Sequence, residues 1–312
     1  MVNPLFYNLM QPDAGNSALS SRGINYANPD FVILKYEEVV PSLALREYIE
    51  CYWTLVSDCS LENELCLPDG SASLIFNFGL PYRRAVCHRP NEWMQVGRHS
   101  LVHQNKASVL INQQSPVRML GVRFKPYGMA PFFKVNMNQY PPPFILNGSM
   151  LFKWLGSLKE KLWETDCFSE RTALVDHDLL RRLPNTPPPD PLVKESVSIM
   201  VKNRGVIKIG DLLEQLCVSK SNLEKKFQEH VGLSPKILCN IFRFNSIVYN
   251  HQMNPVPSLT ELSYKQGFFD QSHLVHNFRS FTGLPPGKFF RQENLLVEML
   301  RQSFEARTME IY

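Results

Sequence analysis

Two short clusters of hydrogen-bonding side chains occur in the last third of this 312-residue chain. Lysine, serine, asparagine, glutamine and histidine can all bond to base edges or phosphates of DNA, and glutamate can accept from cytosine. The clusters comprise Lys220, Ser221, Asn222, Glu224, Lys225 and Lys226 in the first, and Gln271, Ser272, His273 and His276 in the second. Their composition indicates contact with nucleic acid, although each residue alone is equally compatible with a solvated surface.

Basic residues surround both clusters. Residues 192–291 hold 13 Lys or Arg and 7 Asp or Glu, a net charge of +6, whereas the rest of the chain has a net charge of −2. A basic block joined to a slightly acidic one favours an anionic partner for one end of the chain. The candidate phosphate contacts, which position a protein without specifying sequence, are Lys226, Lys236, Arg243, Lys265, Arg279 and Lys288.

One sequence pattern, present twice within residues 192–291, must position these clusters. Each copy is a short amphipathic helix, a tight turn and a second helix that begins after a capping residue, Ser219 or Asp270. This arrangement is typical of two helix-turn-helix units in tandem. The predicted helices of this region cover residues 192–203, 209–217, 219–231, 235–252, 258–266, 271–282 and 292–305.

The spacing of apolar residues determines which side of each second helix faces outwards. Leu223 and Phe227 are four residues apart, so both pack against the preceding helix and leave the first cluster outside. Leu274 and Phe278 repeat this spacing in the second unit. The intervening helix over 235–252 would be about 27 Å long. A rod of that length would let one chain read two major-groove segments about one turn of double-stranded DNA apart.

At these residues the sequence resembles the DNA-binding region of the AraC/XylS family of bacterial transcription regulators. The second unit carries the more specific match, with the family's spacing at Gly267-Phe268, Asp270-Gln271-Ser272-His273, Phe278, Phe281, Gly283 and Pro286. The resemblance implies a transcription regulator that needs no cofactor. Its expected partners are double-stranded DNA and RNA polymerase.

Four residues depart from the family pattern. Leu213 stands where the family favours alanine, and Cys217 stands at a turn position where glycine is usual. Glu224 and His276 occupy positions at which arginine or another polar residue is common. These departures affect the expected base preference rather than DNA binding itself.

The upstream region resembles, more loosely, an amino-terminal domain found on one branch of these regulators. The match lies in Leu45-Arg46, Tyr48-Ile49 and Tyr52-Trp53, then Leu67-Pro68-Asp69-Gly70, and Gly121-Val122-Arg123-Phe124. It implies a sensory domain that responds to a small-molecule effector. The resemblance assigns no chemistry to that effector.

The pattern of the upstream region predicts an α+β fold of mixed strands and helices, followed by the all-α tandem helix-turn-helix domain. We expect a helix from Pro41 through Trp53, strands over 72–78, 108–111 and 117–124, and a helical pair over 147–162 and 169–183. Asp176 and Asp178 on the last helix are interpreted as surface charges.

A proline-rich segment marks the clearest domain boundary. Five of the eight residues 184–191 are proline, which neither a helix nor a central strand accommodates. The segment is therefore expected to be a semi-rigid linker. We predict a regulatory domain over 1–183, the linker over 184–191, the DNA-binding domain over 192–291 and a helical extension over 292–312.

Other classes of protein have weaker support. We find neither a secretory signal nor a membrane span, so we expect a cytoplasmic protein whose seven cysteines are free thiols. His99 and His103, with Cys87 and His88 nearby, lack the tight pairing of a zinc site. Nucleotide-binding and hydrolase motifs are absent, so we do not expect an enzyme. The alternative is a ligand-binding or enzymatic N-terminal domain with the helical half as an interaction module.

Overall fold

Residues 21–27, 33–140, 145–146, 149–253, 261, 263, 270–292 and 294–298 are described by a computed structural model of the chain. The N-terminal half is built on two antiparallel sheets. The strands are β1 (Ser21–Ala27), β2 (Ile33–Val39), β3 (Ile49–Ser57), β4 (Leu61–Cys66), β5 (Ser73–Asn77), β6 (Tyr82–Val86), β7 (Met94–Val96), β8 (His99–Val102), β9 (Val109–Gln113), β10 (Val117–Phe124) and β11 (Ile145–Leu146). The larger sheet has the order β1-β2-β3-β10-β5-β8-β11, and the smaller one β4-β9-β6-β7.

The expectation of a helix from Pro41 to Trp53 is wrong. Only Leu43–Leu45 is helical, as a single 3-10 turn, and β3 begins at Ile49. Both faces of β3 are covered, so apolar residues follow one another along it and imitate a helical spacing. Isoleucine, tyrosine, tryptophan, threonine and valine, which favour strands, supply most of its residues. β3 pairs with both β2 and β10, which places it near the middle of the larger sheet.

The two sheets face each other across an apolar interior. The larger sheet contributes Leu34, Leu55 and Met119, and the smaller sheet contributes Val96 and Ile111. Residues of alternate parity on the larger sheet face the opposite way, towards helices. The protein's N-terminal half is thus a sandwich with a further helical layer, as the predicted α+β class requires.

Four helices cover the outer face of the larger sheet: α1 (Met129–Phe133), α2 (Ser149–Leu155), α3 (Leu158–Trp163) and α4 (Phe168–Arg182). The helix expected over 147–162 is interrupted at Gly156, whose φ of +55° favours glycine. Asp176 on α4 is buried rather than a surface charge. It accepts hydrogen bonds of 2.9 Å from the Tyr52 hydroxyl and the Ser42 N–H, which fasten α4 to the sheet. Asp178 is also buried, and both Arg181 and Arg182 donate to it.

The C-terminal half is helical, as expected. Its described helices are α5 (Pro191–Lys202), α6 (Ile209–Leu216), α7 (Lys220–His230), α8 (Pro235–Met253), α9 (Gln271–Thr282) and α10 (Pro286–Phe289). The helix expected over 258–266 lies almost wholly outside the described residues. Of the extension, residues 295–298 are helical.

The two halves share a core. Leu65 on β4 and Leu67, just after that strand, pack in the same apolar cluster as residues of the C-terminal helices. The helical residues of this cluster include Val197 and Leu238. The linker is also held, because the Tyr48 hydroxyl donates to the Pro187 carbonyl at 3.3 Å. Helix α5 begins inside the linker, at Pro191, because Asp190 caps it by accepting from the N–H groups of Leu192 and Val193.

Candidate nucleic-acid interface

The first helix-turn-helix unit consists of α6, a turn and α7. Helix α6 ends at Cys217, whose φ of +52° is the left-handed conformation in which glycine is usual. The departure from the family pattern at this residue therefore falls where the backbone most favours glycine. Helix α7 begins after Ser219, whose hydroxyl accepts from the Asn222 N–H at 3.3 Å, as predicted.

The first polar cluster lies on the outer side of α7. Leu223 is 1% exposed and Phe227 is completely buried, so both belong to the core of the unit. Lys220 and Glu224 face each other across one turn, with Nζ and Oε1 3.9 Å apart. The exposed residues of this cluster are Lys220, Ser221, Asn222, Glu224 and Lys225.

Two candidate phosphate contacts are engaged within the protein. Lys226 Nζ lies 2.8 Å from Asp190 Oδ2, so this lysine ties α7 to the cap of α5. Arg243 on α8 donates from Nε and Nη2 to the Gly205 carbonyl, at 3.2 and 3.1 Å. Lys236 and Lys288 are exposed, and Lys265 lies outside the described residues.

Asp190 collects positive partners at the start of α5. Besides Lys226, the His230 ring lies 3.7 Å from the same oxygen. Partial burial raises the pKa of Asp190. Hydrogen bonds from Lys226 and the Val193 N–H, together with the positive charges of Lys226 and His230, lower it by more. The pKa of Asp190 therefore lies below its ordinary value.

The second polar cluster lies on the outer side of α9. This helix begins after Asp270, which accepts from the His273 N–H at 2.7 Å and confirms the predicted cap. Leu274 and Phe278 are completely buried. The exposed residues on α9 are Gln271, Ser272, His273, His276, Arg279 and Ser280, of which the first four form the cluster.

Helix α8 joins the two units through its aromatic face. The Phe244 ring is stacked on Phe281 at a centroid distance of 4.8 Å and meets Phe278 edge-on at 5.1 Å. The 19 residues of α8 give a rod of about 28 Å. The helix that would precede α9 lies in residues that the structure does not describe, so the second unit is defined here by α9 and its contacts.

The N-terminal half contacts the C-terminal end of α9. His88 Nε2 donates to the Ser280 carbonyl at 2.7 Å. The Phe281 carbonyl accepts from the Ser108 N–H at 2.7 Å and from Cys87 Sγ at 3.4 Å. Helix-terminal carbonyls lack partners within their own helix, so these donors satisfy groups that would otherwise need water. No local sequence pattern indicates this role, because Cys87 and His88 lie more than 190 positions from the carbonyls that they contact.

The first unit also meets the sandwich. Gly232, just after α7, has a φ of +76°, and a Cβ at this position would lie 2.6 Å from the His103 ring nitrogen Nε2. His99 packs edge-on against Trp163 at a centroid distance of 4.8 Å. Among the described residues, no cluster of three or more His, Cys, Asp or Glu is arranged to hold a metal ion.

None of the described helices combines the length and apolar composition that crossing a membrane requires. Polar side chains are exposed on the outer side of α7 and on the outer side of α9. Both helices begin at capped N-termini, where the exposed clusters are concentrated.

Two family models match the sequence. Residues 212–292 match a helix-turn-helix domain of the AraC type, and residues 37–141 match a domain of unknown function designated DUF6597. No curated protein sequence matches the chain.

Several solved structures show a weak overall likeness. ToxT from Vibrio cholerae has 12% identity and a TM-score of 0.43, with 77% of this chain and 98% of that chain covered. The fatty-acid-bound form of ToxT has 13% identity and a TM-score of 0.40, with 76% and 94% covered. Oxalate decarboxylase from Bacillus subtilis has 11% identity and a TM-score of 0.24, with 57% and 42% covered. Likeness at this level assigns neither a ligand nor an activity.

Proposed function

Because residues 212–292 are an AraC-type helix-turn-helix domain, we propose that the protein regulates transcription by placing α7 and α9 in successive major-groove segments of one DNA site. The observation that carries the proposal is the pair of capped helices whose buried faces hold Leu223 and Phe278 and whose opposite faces expose polar clusters. Base contacts come from Lys225 and Gln271, and Arg279 holds phosphate.

The proposal divides the chain at the proline-rich segment. Residues 1–183 form the regulatory domain, 184–191 the linker, 192–291 the DNA-binding domain and 292–312 an extension. Its remaining contacts with DNA are Lys220, Ser221, Asn222, Glu224, Lys236, Ser272, His273 and His276. Lys226 is available to phosphate only if its bond to Asp190 is exchanged, and Arg243 supports the backbone beside Gly205.

The regulatory domain acts by setting the orientation of the second recognition helix. In support, His88, Ser108 and Cys87 donate hydrogen bonds to the last carbonyls of α9. An effector of the sandwich can shift the orientation of this helix only if it binds one arrangement of these contacts more tightly than another. Such a change would alter the angle between α9 and α7 without altering either cluster.

The experiment is selection of bound fragments from a random DNA pool by the full chain, followed by affinity measurements across a salt series. For about six to eight phosphate contacts, log K should fall with log[salt] with a slope of about −5 to −7. Arg279→Ala should reduce the slope by about one unit. The control is Lys153→Ala, an exposed lysine on α2, which should leave the slope unchanged. No enrichment of any sequence, with weak binding even at low salt, would contradict the proposal.

A further inference from the structure

Two loops of the sandwich meet the C-terminal end of α9. They are the turn between β6 and β7, residues 87–93, and the loop between β8 and β9, residues 103–108, and we call them the loop pair. His88 of the turn and Ser108 of the loop each donate a hydrogen bond of 2.7 Å to a carbonyl of α9. The Cys87 N–H donates to the Ser108 carbonyl at 3.0 Å, so the two loops are also joined to each other.

The exposed side of α9 leads directly to the loop pair. Ser272, His276 and Arg279 are four and three residues apart, a spacing that places them on one side of a helix, and all three are exposed. Ser280 comes next, and its carbonyl accepts the hydrogen bond from His88. The loop pair therefore lies where the candidate DNA-binding side of α9 ends.

Each loop carries an exposed cation beside the residue that contacts α9. Arg89 follows His88 directly, and its side chain is 69% exposed. Lys106 stands two residues before Ser108 and is also exposed. Because His88 and Ser108 are both hydrogen-bonded to the end of α9, the backbone that carries each cation is held close to that end.

The charge around this helix end is predominantly positive. The loop pair and α9 together contain three Lys or Arg and a single Glu, a net charge of +2. The single carboxylate is Glu92, and its Oε2 lies 3.3 Å from Arg89 Nη1. Both side chains of this pair are about two-thirds exposed, so the pair is weak and phosphate can take the place of Glu92.

A helix in the major groove has phosphates on both sides, and the C-terminal end of a helix carries partial negative charge. A phosphate near this end of α9 would therefore be repelled by the helix itself. Cations supplied by the loop pair remove this repulsion and attract the phosphate. Neutral donors already satisfy the last carbonyls of α9, so hydrogen bonding alone does not require Arg89 or Lys106 there.

The turn that carries Arg89 is held in a defined conformation. The Arg89 N–H donates to the Val86 carbonyl at 2.7 Å, and the Glu92 N–H donates to the Arg89 carbonyl at 3.0 Å. At the far side of the turn, the Arg83 guanidinium lies over the Trp93 ring, 5.6 Å from its centroid. Binding by a preorganised loop loses less conformational entropy than binding by a flexible one.

We propose that the loop pair is a further DNA-contacting surface, on which Arg89 and Lys106 each hold a phosphate beside the major-groove segment that α9 occupies. This inference rests on the function proposed above, because it requires α9 in the groove. It assigns part of the DNA-binding surface to the N-terminal half, whereas the charge distribution of the sequence favours residues 192–291 alone. The sandwich then binds the same DNA molecule as the helical domain that it contacts.

The experiment measures the affinity of the full chain, across a salt series, for the site that it selects from a random DNA pool. Arg89→Gln and Lys106→Gln should each reduce the slope of log K against log[salt] by about one unit, and the double variant by about two. Each single change should weaken binding about tenfold at about 0.1 M salt, as the loss of one released counterion implies. All sequences should be weakened equally, because phosphates carry no base information.

The matched control is Arg181→Gln on α4. Arg181 is similarly exposed, at 66%, and also pairs with a carboxylate three residues away, Asp178 at 3.1 Å. This change should leave the salt slope unaltered. Glu92→Gln provides the opposite test, because removal of the single carboxylate of the loop pair should strengthen binding by about two- to threefold, the size of an exposed charge interaction.

A second measurement locates the contact on the DNA. Single phosphates around the segment bound by α9 are replaced, one at a time, by uncharged methylphosphonates. At one position the replacement should weaken binding by the wild type but not by Arg89→Gln, because the variant has already lost that contact. The Tm of each DNA-free variant should stay within about 2 °C of the wild type, as expected for an exposed residue.

Two outcomes would overturn the inference. Wild-type salt slopes in both Arg89→Gln and Lys106→Gln would show that the loop pair does not meet phosphate. A lowered Tm with unchanged DNA affinity would show that the two cations serve only to stabilise the end of α9. In either case the wild type would still select a site and Arg279→Ala would still reduce the slope, so the proposed function would stand. Failure of the wild type to select any sequence would reject the function and this inference together.

Discussion

The two helix-turn-helix units are attached to the rest of the molecule by different chemistry. The first unit is joined through charged side chains, since Lys226 and His230 of α7 meet Asp190 at the end of the linker. The second unit is joined through its backbone, since the carbonyls of Ser280 and Phe281 accept from the sandwich.

This difference indicates which conditions affect each attachment. An ion pair weakens with salt and with protonation of its carboxylate. A bond to a backbone carbonyl is insensitive to the side chain of the accepting residue and depends on the position of the helix end. The first unit is therefore expected to respond to solution conditions, and the second to changes in the geometry of the sandwich.

The largest expected effect tests how tightly the aromatic core of the second unit is packed. Phe278→Ala removes a completely buried ring that contacts Phe244 and Phe289, and should lower the free energy of unfolding by about 3–5 kcal/mol. Urea unfolding of the full chain measures this. Val206→Ala, at an exposed position, should cost less than about 0.5 kcal/mol. A cost below about 1 kcal/mol for Phe278→Ala would mean that the aromatic core is not tightly packed.

The next effect tests whether each unit reads its own bases. Lys225→Ala and Gln271→Ala should each weaken binding to the selected site by about 1–3 kcal/mol and relax preference at one base position. Arg279→Ala should weaken binding to all sequences about equally. Competition binding against a library of single-base variants measures both. Uniform weakening from Gln271→Ala, with relaxed preference from Arg279→Ala, would reverse these roles.

A smaller effect concerns the two histidines of the second unit. His273 and His276 lie on the exposed face of α9, where their ring nitrogens can form hydrogen bonds to phosphate or to base edges. Changing both residues to alanine should weaken binding to the selected site by about 1 kcal/mol, because these bonds are lost. Competition binding measures the loss, and an affinity equal to that of the wild type would rule out the contact.

The smallest effect isolates the ion pair of the first unit. Asp190→Asn retains a good capping residue but removes the charge, and should lower stability at pH 7 by about 0.5–1 kcal/mol. Because the pKa of Asp190 is lowered in the folded protein, its stabilising contribution is complete above the carboxyl's ordinary pKa and is lost as the pH falls through the folded value. The difference between wild type and variant should therefore shrink below about pH 4. The control is Glu195→Gln at an exposed carboxyl on α5, which should change stability at pH 7 by less than about 0.5 kcal/mol.

Local sequence signals predicted the C-terminal half well, because its helices carry their own start and stop residues. Ser219 and Asp270 cap α7 and α9 as expected, and Gly283 follows α9 with a φ of +75°. The exposed and buried faces of both helices also follow directly from the four-residue spacing of Leu and Phe. The site residues predicted on these faces remain a prediction until DNA binding is measured.

The strands of the N-terminal half are harder to predict, because burial on both sides of a sheet removes the alternation of apolar and polar residues that identifies a strand. The helix predicted from Pro41 through Trp53 overlaps the first half of β3 for this reason, whereas the strand predicted over 117–124 is observed as β10. The contacts of Cys87, His88 and Ser108 with α9 join residues that lie far apart in the sequence, which no local pattern encodes.

The chain returns to the sandwich after the last helix of the DNA-binding domain. The Leu296 N–H donates to Glu64 Oε2 at 3.3 Å, and both Leu295 and Leu296 pack with the interior cluster that includes Ile111. The helical domain is therefore connected to the sandwich at both of its ends, covalently through the linker and non-covalently through Leu295 and Leu296. When the non-covalent contact opens, the linker keeps the two domains at a high effective concentration, so the contact re-forms within the same molecule. Separation of the two domains would thus be brief and reversible.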